Sequence, residues 1–535
     1  MKEKRISEVQ ASVLKSWLHD GEEIALLDVR EAGQFGESHL FLAIPLPYSR
    51  LEIDVRRLVP RLTTRIVLID ETGRDVALLA AQRLGAMGYT QVQILQAGIQ
   101  GWADAGYEVF AGVNVPSKAF GELAEMHFGT PHISAKELSD KLARGEDVIV
   151  LDGRPMAEFH KMSIPGATCC PNGELALRID DLVPSAKTQI VVNCAGRTRS
   201  IVGAQTLINL GIPNPVRALE NGTQGWYLND LMLEHGANRG VPALDASADL
   251  RDRVERAQRL ADRFDIERID LETLSRWQAE SERTTYVCDV RTPEEMKARP
   301  ITGANPAPGG QLIQATDQYI ATRGARVVLV DDDDVRAPVV ASWLYMLGWD
   351  VAVLPSKYVP SLTQGSSASP HTQVHDDDCV LISAVQAREL HDQNMLFLDA
   401  RSSMQYRQSH IVGSNWVVRP KLGAFLHRLA ALPESAVLIA NEYESARLLR
   451  KDLMEAGVKH VHCCIEEPAM WSSAGLPVES TPDDPTNSEC IDYLFFVHDR
   501  HDGNKQAARQ YLAWETNLIS QLDDQEKNIF RFTSK

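Results

Sequence analysis

The run Val191-Val192-Asn193-Cys194-Ala195-Gly196-Arg197-Thr198-Arg199-Ser200 carries the residue types for nucleophilic chemistry on an anion. Two β-branched residues lead towards a cysteine. A short loop with one glycine and two arginines follows, and apolar residues then recur at helical spacing: Ile201, Ala204, Leu207, Ile208. The pattern predicts a buried strand, a loop and a helix. Backbone N–H groups then gather around the sulfur at a helix N-terminus, where partial positive charge collects. Arg197 and Arg199 add two full charges. A thiol so placed is expected to deprotonate easily, and the thiolate is the nucleophile. The same cradle is expected to hold an oxyanion on the molecule the sulfur attacks. Ala195, Gly196 and Thr198 line it, and the arginines offer planar forks of donors. Ser200 either caps the helix or hydrogen-bonds the sulfur, and capping is the expected role.

The elements that position this loop recur along the chain. Leu27-Asp28-Val29-Arg30 returns as Leu151-Asp152-Gly153-Arg154, Cys288-Asp289-Val290-Arg291 and Leu398-Asp399-Ala400-Arg401. The aspartates stand 124, 137 and 110 residues apart, which is domain spacing rather than a short-repeat solenoid. Cys194 lies 42 positions after Asp152, and the same step from the other aspartates reaches Asp70, Asp331 and Asn441. Each ends an apolar run, and each is followed by a helical pattern such as 77–84 or 339–347. Gly88, Gly211, Gly348 and Gly457 fit the C′ positions of these helices. A closing marker reads Gly98-x-x-Gly101-Trp102 and Gly222-x-x-Gly225-Trp226, is degenerate at Ala469-Met470-Trp471, and is missing from the third unit. Short β-branched strands alternating with helices predict an α/β fold of four tandem domains, each a small parallel sheet flanked by helices. Ligands of such sheets sit at the carboxyl ends of strands, where Cys194 falls.

Composition narrows the function classes. The 535 residues are too many for one core. A net charge of −18 argues against nucleic acid or anionic membrane as a partner. Eight cysteines in this length are no disulfide framework. The start, Met1-Lys2-Glu3-Lys4-Arg5, has no apolar signal core, and no run of about 18 apolar residues exists. A soluble, cytoplasmic protein without cofactor or metal is expected. The predicted boundaries are 1–110, 131–236, a helical connector 237–268, 269–360, 376–477, and a tail 478–535. Residues 361–378 read as a flexible linker. The tail helix predicted over 504–522 carries Tyr511, Leu512, Trp514 and Leu518, so it needs a surface, on another domain or on a second subunit of a homodimer.

The Asp-x-Arg motif, Ile164-Pro165-Gly166-Ala167 after His160, the cysteine loop and the closing Gly-x-x-Gly-Trp together resemble the rhodanese (sulfurtransferase) family, over roughly residues 1–477. The resemblance implies a cysteine that accepts a sulfane sulfur as a persulfide and passes it to a thiol or to cyanide. The donor would be a small sulfur-containing anion such as thiosulfate. Family loops hold six residues from the cysteine, and related phosphatases one more. Here the arginine falls at Cys194 plus five, which suits a single sulfur better than a phosphoryl group. Neutral Ala195 and Gly196 leave 3-mercaptopyruvate open as donor, and a non-catalytic sulfur-sensing scaffold is the alternative of another class. Asp152 and Arg154 recur in the copies without a cysteine, so they read as a fold-holding pair. His160, with His39 and His410 in similar places, reads as structural. Cys169 and Cys170 could approach the active face, but adjacent cysteines rarely pair. Asp331 to Asp334 read as a solvated acidic turn, and the three cysteine-free copies as scaffold, partner surface or channel wall.

Overall fold

The structure, a computed structural model, describes residues 6–244, 249–363, 379–495 and 504–533. Four parallel sheets stand where the four repeats were predicted. In the second copy the strands run, edge to edge, His132–Ile133, Val216–Leu219, Gln189–Asn193, Val148–Asp152 and Thr168–Cys169. The same order holds in the first copy (Ser7–Val9, Val92–Leu95, Arg65–Ile69, Ile24–Asp28, Ile44–Pro45), in the third (Glu267–Arg268, Asp350–Leu354, Arg326–Val330, Thr285–Asp289, Asn305–Pro306) and in the fourth (Val380–Leu381, His460–Cys464, Ser435–Ile439, Leu396–Asp399, Asn415–Trp416). The two central strands of the second copy are in register from Val148 against Gln189 to Asp152 against Asn193. Both are sandwiched between helices, which is why they read as continuous apolar runs. Ile133, Leu138, Val150, Phe159, Ile164, Val191 and Trp226 close one core there.

The recurring aspartate and arginine build the same brace four times. Arg154 donates from Nε and Nη2 to the two oxygens of Asp152, each at 2.8 Å, and Nη2 also reaches the Met162 carbonyl at 2.7 Å. Arg291 and Arg401 repeat this, with Nη2 on the Arg299 and Ser409 carbonyls at 2.7 and 2.6 Å, and Arg30 reaches Ser38 in the same way. In every copy the acceptor carbonyl lies eight residues after the arginine, at the end of a short helix. The brace therefore ties strand end to helix end, as expected of a fold-holding pair. The predicted C′ glycines also hold: Gly88, Gly211, Gly348 and Gly457 all have positive φ.

The chain forms two compact units that do not follow the tandem order. One comprises the first and fourth copies (6–16, 25–113 and 379–495). Within it Arg419 of the fourth copy chelates Glu52 of the first at 2.5 and 2.8 Å and holds Asp452 at 2.7 Å. The other comprises the second and third copies and the tail (17–24, 114–244, 249–363 and 504–533). Within it Trp343 donates to the Thr206 hydroxyl at 2.9 Å and Arg336 meets Glu174 at 3.0 Å.

The predicted connector is a helix over Arg251–Asp262, with Arg253 anchored on Asp181. Residues 245–248 of the connector, 364–378 of the linker, and 496–503 and 534–535 of the tail lie outside the described residues. The tail helix spans Lys505–Gln521, capped by the Asn504 side chain accepting from the Ala507 amide at 3.0 Å. It docks within its own unit, against the helix Val115–Phe128 and the short helix Gly222–Leu228. Lys118 lies over the rings of Tyr511 and Trp514, at 5.2 and 4.7 Å. Among the described residues no helix is long and apolar enough to cross a membrane.

Candidate active site

Cys194 is the first residue past the strand Gln189–Asn193, and the helix Thr198–Asn209 begins four residues on. Behind it, Asn193 donates from Nδ2 to Asp152 at 2.7 Å, locking the strand end to the brace. The loop backbone is held from the far side. The Thr223 amide donates to the Cys194 carbonyl at 2.8 Å, and the Gln224 amide to the Ala195 carbonyl at 3.1 Å. That approach requires Gly222, whose φ is +52° and whose Cβ, if it had one, would stand 2.2 Å from the Cys194 carbonyl oxygen. The closing Gly-x-x-Gly-Trp motif thus supports the cysteine loop.

The Ser200 hydroxyl donates to the Cys194 sulfur at 3.0 Å. Ser200 is therefore a sulfur ligand, and the capping expectation is corrected: the helix begins at Thr198, so Ser200 sits inside its first turn with the hydroxyl turned in. The sibling loops show what the cradle holds. In the first copy the Asp70 carboxylate accepts from the amides of Thr72, Gly73, Asp75 and Ala77. In the third, Asp331 accepts from Asp334 and Ala337, at 2.9 and 2.8 Å. Ala337 stands six residues after Asp331, as Ser200 does after Cys194. Asn441 of the fourth copy turns away to donate to Gln405. Only the second copy places sulfur at this position.

Two expectations fail at the arginines and the thiol. Arg199 is chelated by Glu158, Nη1 and Nη2 each at 2.8 Å from one carboxylate oxygen. Arg197 is chelated by Glu122 at 2.6 and 2.9 Å and also meets Glu125. Burial works against both charges, yet these carboxylates hold both guanidinium groups above their usual range. One bidentate face of each guanidinium is thus taken by a carboxylate. Cys194 is 2% exposed, and burial pushes its thiol above the ordinary cysteine value. Arg199 and the Ser200 hydroxyl and amide pull the other way, and Glu515 adds to the rise. Desolvation of the anion is the largest of these effects and outweighs the donors.

Glu515 comes from the tail helix. Its Oε1 accepts from the Thr198 hydroxyl at 3.0 Å, and it is 2% exposed. Sequence patterning showed that helix as amphipathic but not what its one buried carboxylate faces. Glu122, Glu125 and Glu158 were equally invisible, being acidic residues on helices. The acidic turn of the third copy is corrected too. Asp331 is fully buried, and the buried Arg336 draws Asp332, Asp333, Glu295 and Glu174 into one ion-pair network. Cys169 donates to the Arg154 carbonyl at 3.3 Å, its thiol pushed up to about 12 chiefly by burial, which disfavours its taking sulfur from Cys194 as a thiolate. His160 lies 2.8 Å from Asn238 and has no part in the loop. All eight cysteines are free thiols.

Residues 10–105 and 134–229 each match the rhodanese-like domain family, and the second stretch contains Cys194. A thiosulfate sulfurtransferase from Pseudomonas aeruginosa, known from its crystal structure, is 40% identical, with 99% of this chain and 100% of that chain covered and a TM-score of 0.91. Over single-copy stretches, a rhodanese-related protein from Thermoplasma volcanium is 25% identical (19% of this chain, 97% of that chain, TM-score 0.17). A rhodanese-like domain from an Anabaena species is 22% identical (22% and 93%, TM-score 0.19). No curated protein matches.

Proposed function

The chain belongs to the rhodanese-like family, and from that premise we propose that it is a sulfurtransferase working through Cys194 alone. The observation that carries the reading is the substitution within one cradle: sulfur at Cys194 where the sibling loops put the carboxylates of Asp70 and Asp331. A site that holds a carboxylate by amide donors suits a thiolate or a persulfide anion.

The name of the Pseudomonas protein favours thiosulfate as donor. The Cys194 thiolate attacks the outer sulfur of thiosulfate. An S–S bond forms, the bond to the sulfonate sulfur breaks, and its electron pair leaves with sulfite. Ser200 stabilises the thiolate before attack. In this reading the backbone amides of Ala195 and Gly196 donate to the departing oxyanion. Arg199 acts through its charge, since Glu158 occupies its fork, and Arg197 fixes the loop against the helix Val115–Phe128. A nucleophilic acceptor, cyanide or a thiol, then takes the terminal sulfur and returns the thiolate.

The experiment is steady-state thiocyanate formation from thiosulfate and cyanide. A two-step carrier gives parallel double-reciprocal lines, and Cys194→Ser abolishes turnover. Turnover surviving in that variant, or intersecting lines, would reject the reading.

A further inference from the structure

The tail brings a second set of buried polar atoms to the cysteine loop, and the attack on the donor uses none of them. Glu515 Oε2 has no hydrogen-bond partner. It lies 3.0 Å from the point where a Cβ on Gly196 would stand, so a glycine is what admits it. Gln224, 4% exposed, has neither amide heteroatom partnered, and its Nε2 is 3.7 Å from the same point. A buried carboxylate oxygen without a donor is costly, as is a buried amide without partners. Glu515 Oε2 and Gln224 Nε2 converge on Gly196, two residues after Cys194, and mark a place for a molecule that supplies a hydrogen-bond donor.

The charges narrow that molecule. Glu122, Glu125, Glu158 and Glu515 outnumber Arg197 and Arg199 around the loop. A further anion meets repulsion at Glu515. The cyanide ion, which is the attacking form, and thiosulfate carry no proton for Oε2, whereas a protonated thiol does. We propose that Glu515 is the proton acceptor for an incoming thiol and that Gln224 orients that thiol, so that the second half of the reaction is built for small neutral thiols. This rests on the sulfurtransferase reading above. In the step, the S–H proton passes to Glu515 Oε2 and the resulting thiolate attacks the terminal sulfur of the Cys194 persulfide. The new S–S bond forms on the acceptor, and the Cys194–sulfur bond breaks with its pair returning to the cysteine. The acceptor leaves as a persulfide anion.

The test uses full-length protein loaded with thiosulfate and freed of excess donor. Discharge of the Cys194 persulfide is followed by mass spectrometry after adding 2-mercaptoethanol or cyanide. Glu515→Gln keeps the volume and an oxygen for Thr198. The ratio of thiol to cyanide discharge rates is expected to fall about 100-fold, within the range of a lost general base. Thiol discharge in the variant then rises with pH in step with the free thiolate, while the wild type is flatter. A fall of less than about tenfold, or equal pH slopes, overturns the proposal. If Glu515→Gln does not fold, Gln224→Met gives the second reading: a higher thiol concentration for half-maximal discharge supports the proposal, and an unchanged one overturns it. A persulfide that never forms on Cys194 rejects the sulfurtransferase reading and this inference with it. One that forms and discharges alike in wild type and variant rejects this inference alone.

Discussion

Alanine at Gly222 should damage both the second copy and its chemistry. The residue has φ +52°, and a Cβ there lands 2.2 Å from the Cys194 carbonyl oxygen and 2.9 Å from the Ala195 carbonyl carbon. That carbonyl is pinned by the Thr223 amide at 2.8 Å, so the loop must move and the contacts at Thr223 and Gln224 are lost. The left-handed conformation costs an alanine about 1 kcal/mol, and each backbone hydrogen bond about 1 kcal/mol. The sum, about 3 kcal/mol, is read by hydrogen exchange at the amides of Val150, Val191 and Val192, because a chain of several domains need not melt in one step. A shift of the nucleophile by about 1 Å costs on the order of 100-fold in sulfur transfer. Gly98 is the matched control: φ is +59°, and its Cβ would stand 2.4 Å from the Asp70 carbonyl oxygen in the cysteine-free first copy. Gly98→Ala should loosen its own copy comparably and leave transfer within about twofold at a temperature where both variants are folded. Equal loss of transfer in the two variants would refute confinement of the chemistry to the second copy. Full stability in Gly222→Ala would refute the packing argument.

Ser200→Ala removes the donor at 3.0 Å from the sulfur and pushes a thiol already raised by burial further up. Alkylation of Cys194 by iodoacetamide at neutral pH should slow about tenfold or more, and its pH profile should move to alkaline values; an unmoved profile contradicts the assignment. Glu158→Gln releases Arg199 from its chelate and strengthens the positive field at Cys194, so the KM for thiosulfate should fall several-fold, and an unchanged KM would show that the field does not reach the donor. Asp399→Asn leaves the buried Arg401 charge unpaired in the fourth copy, which should cost that unit about 3–5 kcal/mol by hydrogen exchange while transfer at Cys194 persists. Burial raises the Glu31 carboxyl to about 7, against two hydrogen bonds from Ser49. The folded state therefore favours its protonated form: that contribution to stability is complete below the ordinary carboxyl value and is lost as pH rises through about 7. Glu31→Gln should remove this dependence from the unfolding of the unit made of the first and fourth copies.

What the sequence disclosed was whatever repeats or has a period. The Asp-x-Arg brace showed itself because Asp28, Asp152, Asp289 and Asp399 keep the same distance to the next strand end, and that distance is set by the sheet order common to all four copies. Cys194 stood out by breaking the pattern. The electrostatics of the loop were not legible. Glu122 and Glu158 sit on helices where an acidic residue normally faces water, and nothing local says that they chelate Arg197 and Arg199. Glu515 is further removed, 317 positions from the Thr198 hydroxyl it accepts from, and its helix was visible only as an apolar face seeking cover. The expectation of a reactive thiol followed from the donors nearby, which are present. It failed because burial of Cys194 and a fourth carboxylate act against them. The pairing of copies into two units was equally hidden, since nothing local in the sequence says that Arg419 and Arg336 meet carboxylates of other copies.

The central claim is that one of eight cysteines carries the sulfur. Mass spectrometry of the intact protein after thiosulfate, followed by peptide mapping under non-reducing conditions, addresses it most directly. One added sulfur per chain, confined to the peptide containing Cys194 and removed by cyanide, is the expected result. Sulfur on Cys169, Cys170, Cys463 or any other thiol, or more than one per chain, would contradict it.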